Sequence, residues 1–544
     1  MSAATPDSAA VGTPASTPQR GAQGTVRRVI VFILLFVLVT IAAMGVSGLL
    51  GRLFETRPEF DFGIGGLALS LAFTLVGGPL ALVLWWFTWR RLDGPDRSSV
   101  AWGLYLAAIS FVALVTFATS LLGMFSDLIG GRWSPDSLGT GIAWLAVWIA
   151  HRWMWAHPRK SPLRLTTVPI VLGAAYGLGV VVSGAIRTLA SLFDEAIIPA
   201  QVQLGDPWWT TALQGLVWFA GGALVWWWHW MRDRARGFTG GFADVMLVLT
   251  GVLGAGAVTL GGVGTAVYIG LRAAFDRTDP WPELLDLLGL AIAAAGVGAI
   301  AWLYHRRVAR ERSELTRSAT RLVEAGLGLI AAASGIGVIV NALLAALTAP
   351  LAGSDARTLL LAGIAALVVG APVWWVAWRP LEPVMDAGAV ARRVFLVAVF
   401  GVSAVVAIIA LLVVGYRVFE FSLDGGGTAL IERIRAPFGL LLATALVAGY
   451  HFAVWRRDRA AAPAVAHVRT IDRVVLVASG DAGALAAAIE AATGASVARW
   501  ARADAADSAI SVDAVVAALS GVSAHRVLVL TGPADRVEVV PLAD

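Results

Sequence analysis

The chain of 544 residues contains no cysteine. That excludes disulfides, thiolate nucleophiles and Cys-ligated zinc or iron–sulfur centres together. Charge is scarce as well: 14% of the residues are Asp, Glu, Lys or Arg, against about a quarter in soluble domains. Lysine is nearly missing, since Lys160 is the one basic residue that is not arginine or histidine. What replaces charge is apolar. With 58% hydrophobic residues and a mean hydropathy of +0.77, the composition is that of a polytopic membrane protein. Abundant Ala, Gly and Arg point to a high-G+C bacterial coding bias.

Twelve stretches are long and apolar enough to cross a hydrocarbon core of about 30 Å: 28–50, 63–88, 101–125, 138–156, 167–193, 209–230, 242–271, 284–304, 322–348, 358–378, 393–416 and 437–455. Residues 1–26 lack periodicity and read as a disordered tail. The first stretch is too long for a signal-peptide core, so it is kept as a span. Basic residues flanking spans resist translocation. Loops and tails on the amino-terminal side carry 25 Lys or Arg through Arg459, against 10 on the other side. Both termini are therefore expected in the cytoplasm of a bacterial inner membrane.

Six times an apolar segment ends in an aromatic, two residues, a Trp or His, then Arg. Trp86-x-x-Trp89-Arg90, Trp148-x-x-His151-Arg152, Trp302-x-x-His305-Arg306 and Trp375-x-x-Trp378-Arg379 are the clean copies. Trp227-x-x-Trp230 reaches Arg232 one residue late, and Phe452-x-x-Trp455-Arg456 begins with Phe. The second aromatic positions lie 62 to 79 residues apart, room for two spans and two loops per copy. The expected fold is thus an all-α integral membrane protein of about twelve helices in six two-helix repeats, over 27–91, 99–153, 165–232, 241–307, 320–379 and 391–457. Trp and Arg at a helix end favour the headgroup region, so the phrase reads first as an interface anchor. The competing functional reading places Trp and His at i, i+3 on one face, lining a central site that His151 and His305 would titrate.

Other polar residues are few. Asn341 sits deepest, while Asp244 and Glu324 fall near the starts of their helices. Arg187, Arg272 and Arg417 stand on the acidic outer side, against the topology rule. Snorkelling or pairing with acids such as Asp194, Asp276 and Glu420 is the preferred account, with an anion-binding vestibule as the other. Gly173 and Gly177, the glycines from Gly251 to Gly264, and Gly335 with Gly337 favour close helix approach. They lie on odd helices, which are expected to form the protein core while the even helices meet lipid.

After Arg459 the composition changes. An Ala/Pro linker at 460–466 precedes a small cytoplasmic α/β domain at 467–544 with the order strand, helix, strand, helix, strand, strand. Its turn Ser479-Gly480-Asp481 stands where α/β folds commonly bind ligands, although Asp481 is more simply a helix cap.

The repeated two-helix unit ending in Trp-x-x-[Trp/His]-Arg over 28–457 resembles a family of uncharacterised bacterial membrane proteins catalogued as a repeated domain of unknown function. The resemblance implies a polytopic inner-membrane protein and no substrate, cofactor or catalytic residue. No paired carboxylate, metal cluster or nucleophile–base spacing points to an enzyme. A membrane scaffold or sensor with a cytoplasmic interaction domain is the first expectation, a transporter or channel the second, and a membrane-embedded enzyme, whose site would have to be assembled only in three dimensions, the third. The expected partners are anionic lipid at the cytoplasmic face and a protein bound by the carboxyl-terminal domain. Nucleic acid is not expected, because the basic residues lie in short loops flanking spans.

Overall fold

The computed structural model describes residues 18–56, 64–92, 94, 96–197, 207–348, 356–378, 387–424, 430–461, 471–479, 482–502, 511–522, 524–532 and 536–542. They divide into two compact units, one through Trp455 and one from Arg456 onward. In the first unit the helices are α1 (Pro18–Leu53), α2 (Ile64–Arg91), α3 (Val100–Ile129), α4 (Pro135–Ala156), α5 (Val168–Ile197) and α6 (Trp208–Trp227, continued by a π-helical turn Trp228–Arg232). They continue as α7 (Gly241–Phe275), α8 (Trp281–Arg310), α9 (Glu314–Ala345), α10 (Ala356–Trp378), α11 (Ala387–Leu423) and α12 (Leu430–Ala461). Among the described residues, ten of these are long and apolar enough to cross a membrane. The two others are α4 and α6, where Trp, Gly and His replace aliphatic residues and dilute the apolar run. Helix α1 begins at Pro18, inside the expected tail.

Local chemistry starts and stops several helices. Ser99 accepts from Trp102 N and Ser313 from Thr316 N, each capping a helix start. Pro135 opens α4 at a position where its missing N–H costs nothing.

Within a pair, the helices meet through glycines seven residues apart on both partners. In α5 and α6 these are Gly177 and Gly184 against Gly215 and Gly222; in α9 and α10 they are Gly328 and Gly335 against Gly363 and Gly370. A Cβ on Gly177 would stand 2.5 Å from Trp226 N, and one on Gly335 would stand 2.6 Å from Leu367 N. Backbone therefore lies on backbone, and a spacing of seven keeps the small residues on one seam as the helices run antiparallel. The α7–α8 pair does the same with Gly262 near Ala291 and Gly298 near Thr259. The close approach is thus shared equally by odd and even helices. Gly261 and Gly264, by contrast, face open space.

Successive pairs are joined by one rule: the odd helix of a pair packs on the even helix of the next. This links α1 to α4, α3 to α6, α5 to α8 and α7 to α10. Gly139 lies against Ser47 and Gly51, Gln214 Nε2 donates to Ser126 O at 3.1 Å, and Thr358 donates to Asp276 at 3.1 Å. The step from α9 to α12 follows suit, with Gly337 against Gly439 O and Arg435 donating to Asn341 Oδ1 at 2.9 Å. The extensive contacts join helices no more than three apart in the chain, so the pairs stack in a row in sequence order.

The second unit holds β1 (Arg473–Ala478), α13 (Gly483–Thr493), β2 (Ser496–Ala501), α14 (Val512–Leu519), β3 (Arg526–Thr531) and β4 (Val537–Leu542). The sheet order is β2-β1-β3-β4, parallel except for β4. Val474, Leu476, Val527 and Val529 point to the face covered by Ala486 and Ile489 of α13 and Val515 and Leu519 of α14. Strand alternation sends Val475, Val477, Leu528, Leu530 and Trp500 to the opposite face. There Trp500 is 63% exposed.

Candidate functional site

The even helices carry four buried histidines near their ends: His151 on α4, His229 on α6, His305 on α8 and His451 on α12. Each ring Nδ1 lies within hydrogen-bond distance of the carbonyl four residues back, at 2.8 Å to Val147, 2.9 Å to Val225, 2.7 Å to Ala301 and 2.8 Å to Val447. A carbonyl only accepts, so Nδ1 carries the proton and Nε2 of the neutral ring is left as an acceptor. Tyr105 OH donates to that atom of His151 at 2.9 Å. In α6 and α8 the imidazoles fill space left by glycine on the paired helix: His229 lies against Gly173 and His305 against Gly251. Both sites carry a π-helical turn, Trp228–Arg232 and Leu247–Gly254, the local widening by which a helix accommodates an extra residue.

Around these rings one arrangement occurs twice. Trp230 of α6 donates from Nε1 to Tyr304 OH of α8 at 2.9 Å, and Trp378 of α10 donates to Tyr450 OH of α12 at 2.9 Å. His305 packs 5.4 Å from Trp230, and His451 5.6 Å from Trp378. These hydrogen-bonded aromatic layers, in which the Trp and His rings are buried, Tyr304 half-buried and Tyr450 exposed, hold consecutive even helices together. Among the described residues no three His, Asp or Glu side chains converge to hold a metal ion.

The repeated phrase thus divides by position. Its first aromatic is exposed in Trp86, Trp227, Trp375 and Phe452 and half-buried in Trp148 and Trp302. Its second position turns inward throughout: His151, Trp230, His305 and Trp378 are buried, Trp89 and Trp455 half-buried. Arg90 stacks on Trp86 at 3.7 Å, Arg306 on Trp302 at 5.9 Å, and Arg232 on Trp228 at 5.4 Å. Arg152 lies 4.8 Å from the Trp155 ring and also crosses to Asp233 of the next pair at 2.5 Å, and Arg456 is exposed. Arg379 lies outside the described residues.

The remaining polar candidates are spread along the row. Asp244 accepts from Gly240 N and from Thr316 Oγ1, each at 3.0 Å, and lies 3.8 Å from Arg312. Glu324, 2% exposed, is paired with Arg306 at 2.7 Å. Arg187 donates to Gln214 at 3.2 Å, and Arg417 to Glu420 at 3.0 Å. Arg187 lines a recess of about 1070 Å³ with Asp194, Glu195, Glu283 and Asp286, so the surroundings of that arginine are acidic. Asn341 lies on an apolar cleft of about 660 Å³ between α9, α11 and α12. In the second unit Ser479 Oγ is buried without a partner, and Ala482, the N-cap of α13, offers no side-chain hydrogen bond. Gly480 and Asp481 lie outside the described residues.

Arg272 binds Asp279 at 2.6 Å and Asp276 at 3.4 Å. Burial alone would raise the Asp276 carboxyl, but hydrogen bonds from Thr278 and Thr358 and the Arg272 charge hold it below its ordinary value. A depressed carboxyl stabilises the fold above its unfolded value and loses that contribution as the pH falls through the folded one. Asp276→Asn should therefore flatten the acid limb of a melting-temperature profile. An unchanged profile would show that the Asp276 carboxyl contributes nothing to the acid dependence of the fold.

His229, His451, Asp233 and Tyr105 escape a reading built on the Trp positions. Aligning the copies on histidine would have found the first two, because each follows an apolar residue at i−4. The Arg152–Asp233 pair spans 81 residues and leaves no local signal.

Two regions, 28–162 and 321–450, match the model of DUF5671, a domain of unknown function. The matches fall on α1–α4 and α9–α12, so the matched domain corresponds to four helices and occurs at both ends of the row, with α5–α8 between. No curated protein and no solved structure matches the chain.

Proposed function

We propose that this protein is a membrane scaffold or sensor: a row of helix pairs in a bacterial inner membrane, both termini cytoplasmic, with the carboxyl-terminal α/β unit as its interaction module. The observation that carries this reading is the dry seam inside the pairs. Gly177, Gly184, Gly328 and Gly335 bring backbone against backbone where a conduction path would need room. Several buried polar groups are used internally, as in the Trp230–Tyr304 and Trp378–Tyr450 hydrogen bonds and the Arg306–Glu324 pair. The arginine-rich ends of the even helices support the orientation and contact with anionic lipid. The open sheet face with Trp500, Val477 and Leu528 suits a protein partner. No catalytic role belongs to this reading, and nucleic acid is not among its partners.

A second reading, transport, draws on the α9–α11–α12 cleft, where the apolar walls end at the Asn341–Arg435 hydrogen bond.

The absence of cysteine makes a direct test simple. Single Cys residues at Ala293 and Ala365, both nearly inaccessible, and at Asn341 would be challenged in intact membranes with a water-soluble thiol reagent. The scaffold reading expects protection at all three. Labelling at Ala293 or Ala365 would reveal a hydrated path and reject it; labelling at Asn341 alone would favour the cleft as a solute site.

A further inference from the structure

Helices α8 and α9 are joined by the turn at 311–313, and the arginines on either side of it face one another. Arg306 and Arg310 are four residues apart on α8, and Arg317 and Arg321 four apart on α9, so each pair forms a ladder on one helix face. With Thr320 and Glu324 they line a pocket of about 270 Å³. Its floor is built: Thr320 is 4% and Glu324 2% exposed. Thr320 Oγ1 donates to Thr316 O at 2.8 Å, which leaves the hydroxyl's lone pairs to accept.

The charges in this pocket do not balance. Glu324 is taken by Arg306 at 2.7 Å, and Arg317 makes one long hydrogen bond, 3.4 Å, to Arg312 O. Arg321 Nε is buried with no hydrogen-bond partner. Four guanidinium groups against one carboxylate leave three positive charges around a small cavity. Arg310 and Arg317 are exposed and Arg306 and Arg321 half-buried, so water screens the repulsion in part, and an anion seated among the four would remove the rest. A buried N–H without an acceptor adds a cost of its own.

We propose that this pocket binds a phosphate monoester dianion. Guanidinium groups present forked donors that match phosphate oxygens two at a time. A dianion would also offset most of the excess charge. The shared chemistry is a terminal phosphate, carried either by an anionic lipid headgroup or by a soluble phosphate ester. The site deepens the reading of a lipid-contacting cytoplasmic face and rests on that reading only for the lipid source.

The test uses the full chain in neutral detergent, followed by native mass spectrometry with phosphatidic acid, phosphatidylglycerol and phosphatidylcholine, and by calorimetric titration with inorganic pyrophosphate. The Arg310→Gln, Arg321→Gln double variant is compared with an Arg91→Gln, Arg307→Gln control that removes the same charge outside the pocket. Preferential phosphatidic acid binding that falls at least tenfold in the pocket variant alone supports the lipid source. Pyrophosphate binding with the same pattern supports a soluble one. Equal binding by wild type and pocket variant, or equal loss in the control, overturns the pocket. If anionic lipid still binds the pocket variant undiminished, the lipid-facing reading survives that failure; if no form prefers anionic lipid and none binds pyrophosphate, both fall. Should the double variant not fold, Arg310→Lys with Arg321→Lys keeps the charge but loses the fork, and the same tenfold weakening is expected.

Discussion

Replacing Gly184 with leucine should separate α5 from α6 and lower the melting temperature of the helical unit more than any single surface change. A side chain there has nowhere to go: its first carbon would overlap backbone atoms of Trp218 and Phe219. Overpacking a tight interface costs about 1–3 kcal/mol, occasionally more. Here the obstacle is main chain, which cannot rotate aside as a side chain can. Gly179, one turn away on the same helix with open space around its Cβ position, provides the control, since Gly179→Leu should be tolerated. Melting curves of the two variants in the same detergent decide the matter. Equal loss would mean that the seam is no tighter than the rest of α5, and would remove the main support for a dry scaffold.

That seam was legible in the sequence, though not where the aromatic phrase directs attention. Gly177 and Gly184 are seven apart, as are Gly215 and Gly222, Gly328 and Gly335, and Gly363 and Gly370. Seven-residue spacing on both members of a pair is the signature of an antiparallel close contact. The odd helices alone would not have shown it. The small α/β unit was readable because its strands alternate and its turns carry Gly and Pro, and the sheet has the element order that those signals give. Helices α4 and α6 were harder, since their tryptophans look like span residues by size and like interface residues by polarity. The stacking of pairs in a row was not readable at all. It depends on contacts such as Arg435 with Asn341, 94 residues apart, which leave no periodic trace.

Arg306 should prove the most sensitive charged position in the helical unit, because its loss takes a buried carboxylate's direct ion-pair partner away. Glu324 is 2% exposed and pairs with Arg306 at 2.7 Å. Removing one partner of a buried pair costs roughly 3–5 kcal/mol where nothing else answers the remaining charge; here Arg310 still acts on Glu324 at longer range, which places the expected loss toward the lower end of that range. Arg306→Met should therefore destabilise strongly, whereas Glu324→Gln leaves a neutral amide that still accepts from the guanidinium and should cost much less. Replacing both with Met takes the remaining charge away, so the double variant is expected to recover most of what the single Arg306→Met variant loses. The recovery separates two roles of the arginine. If Arg306 acted mainly by stacking on Trp302, 5.9 Å away, the double variant would melt no higher than Arg306→Met alone. If it acts by holding Glu324, the midpoint returns toward wild type, and the floor of the arginine pocket is then set by charge pairing between α8 and α9 rather than by aromatic contact.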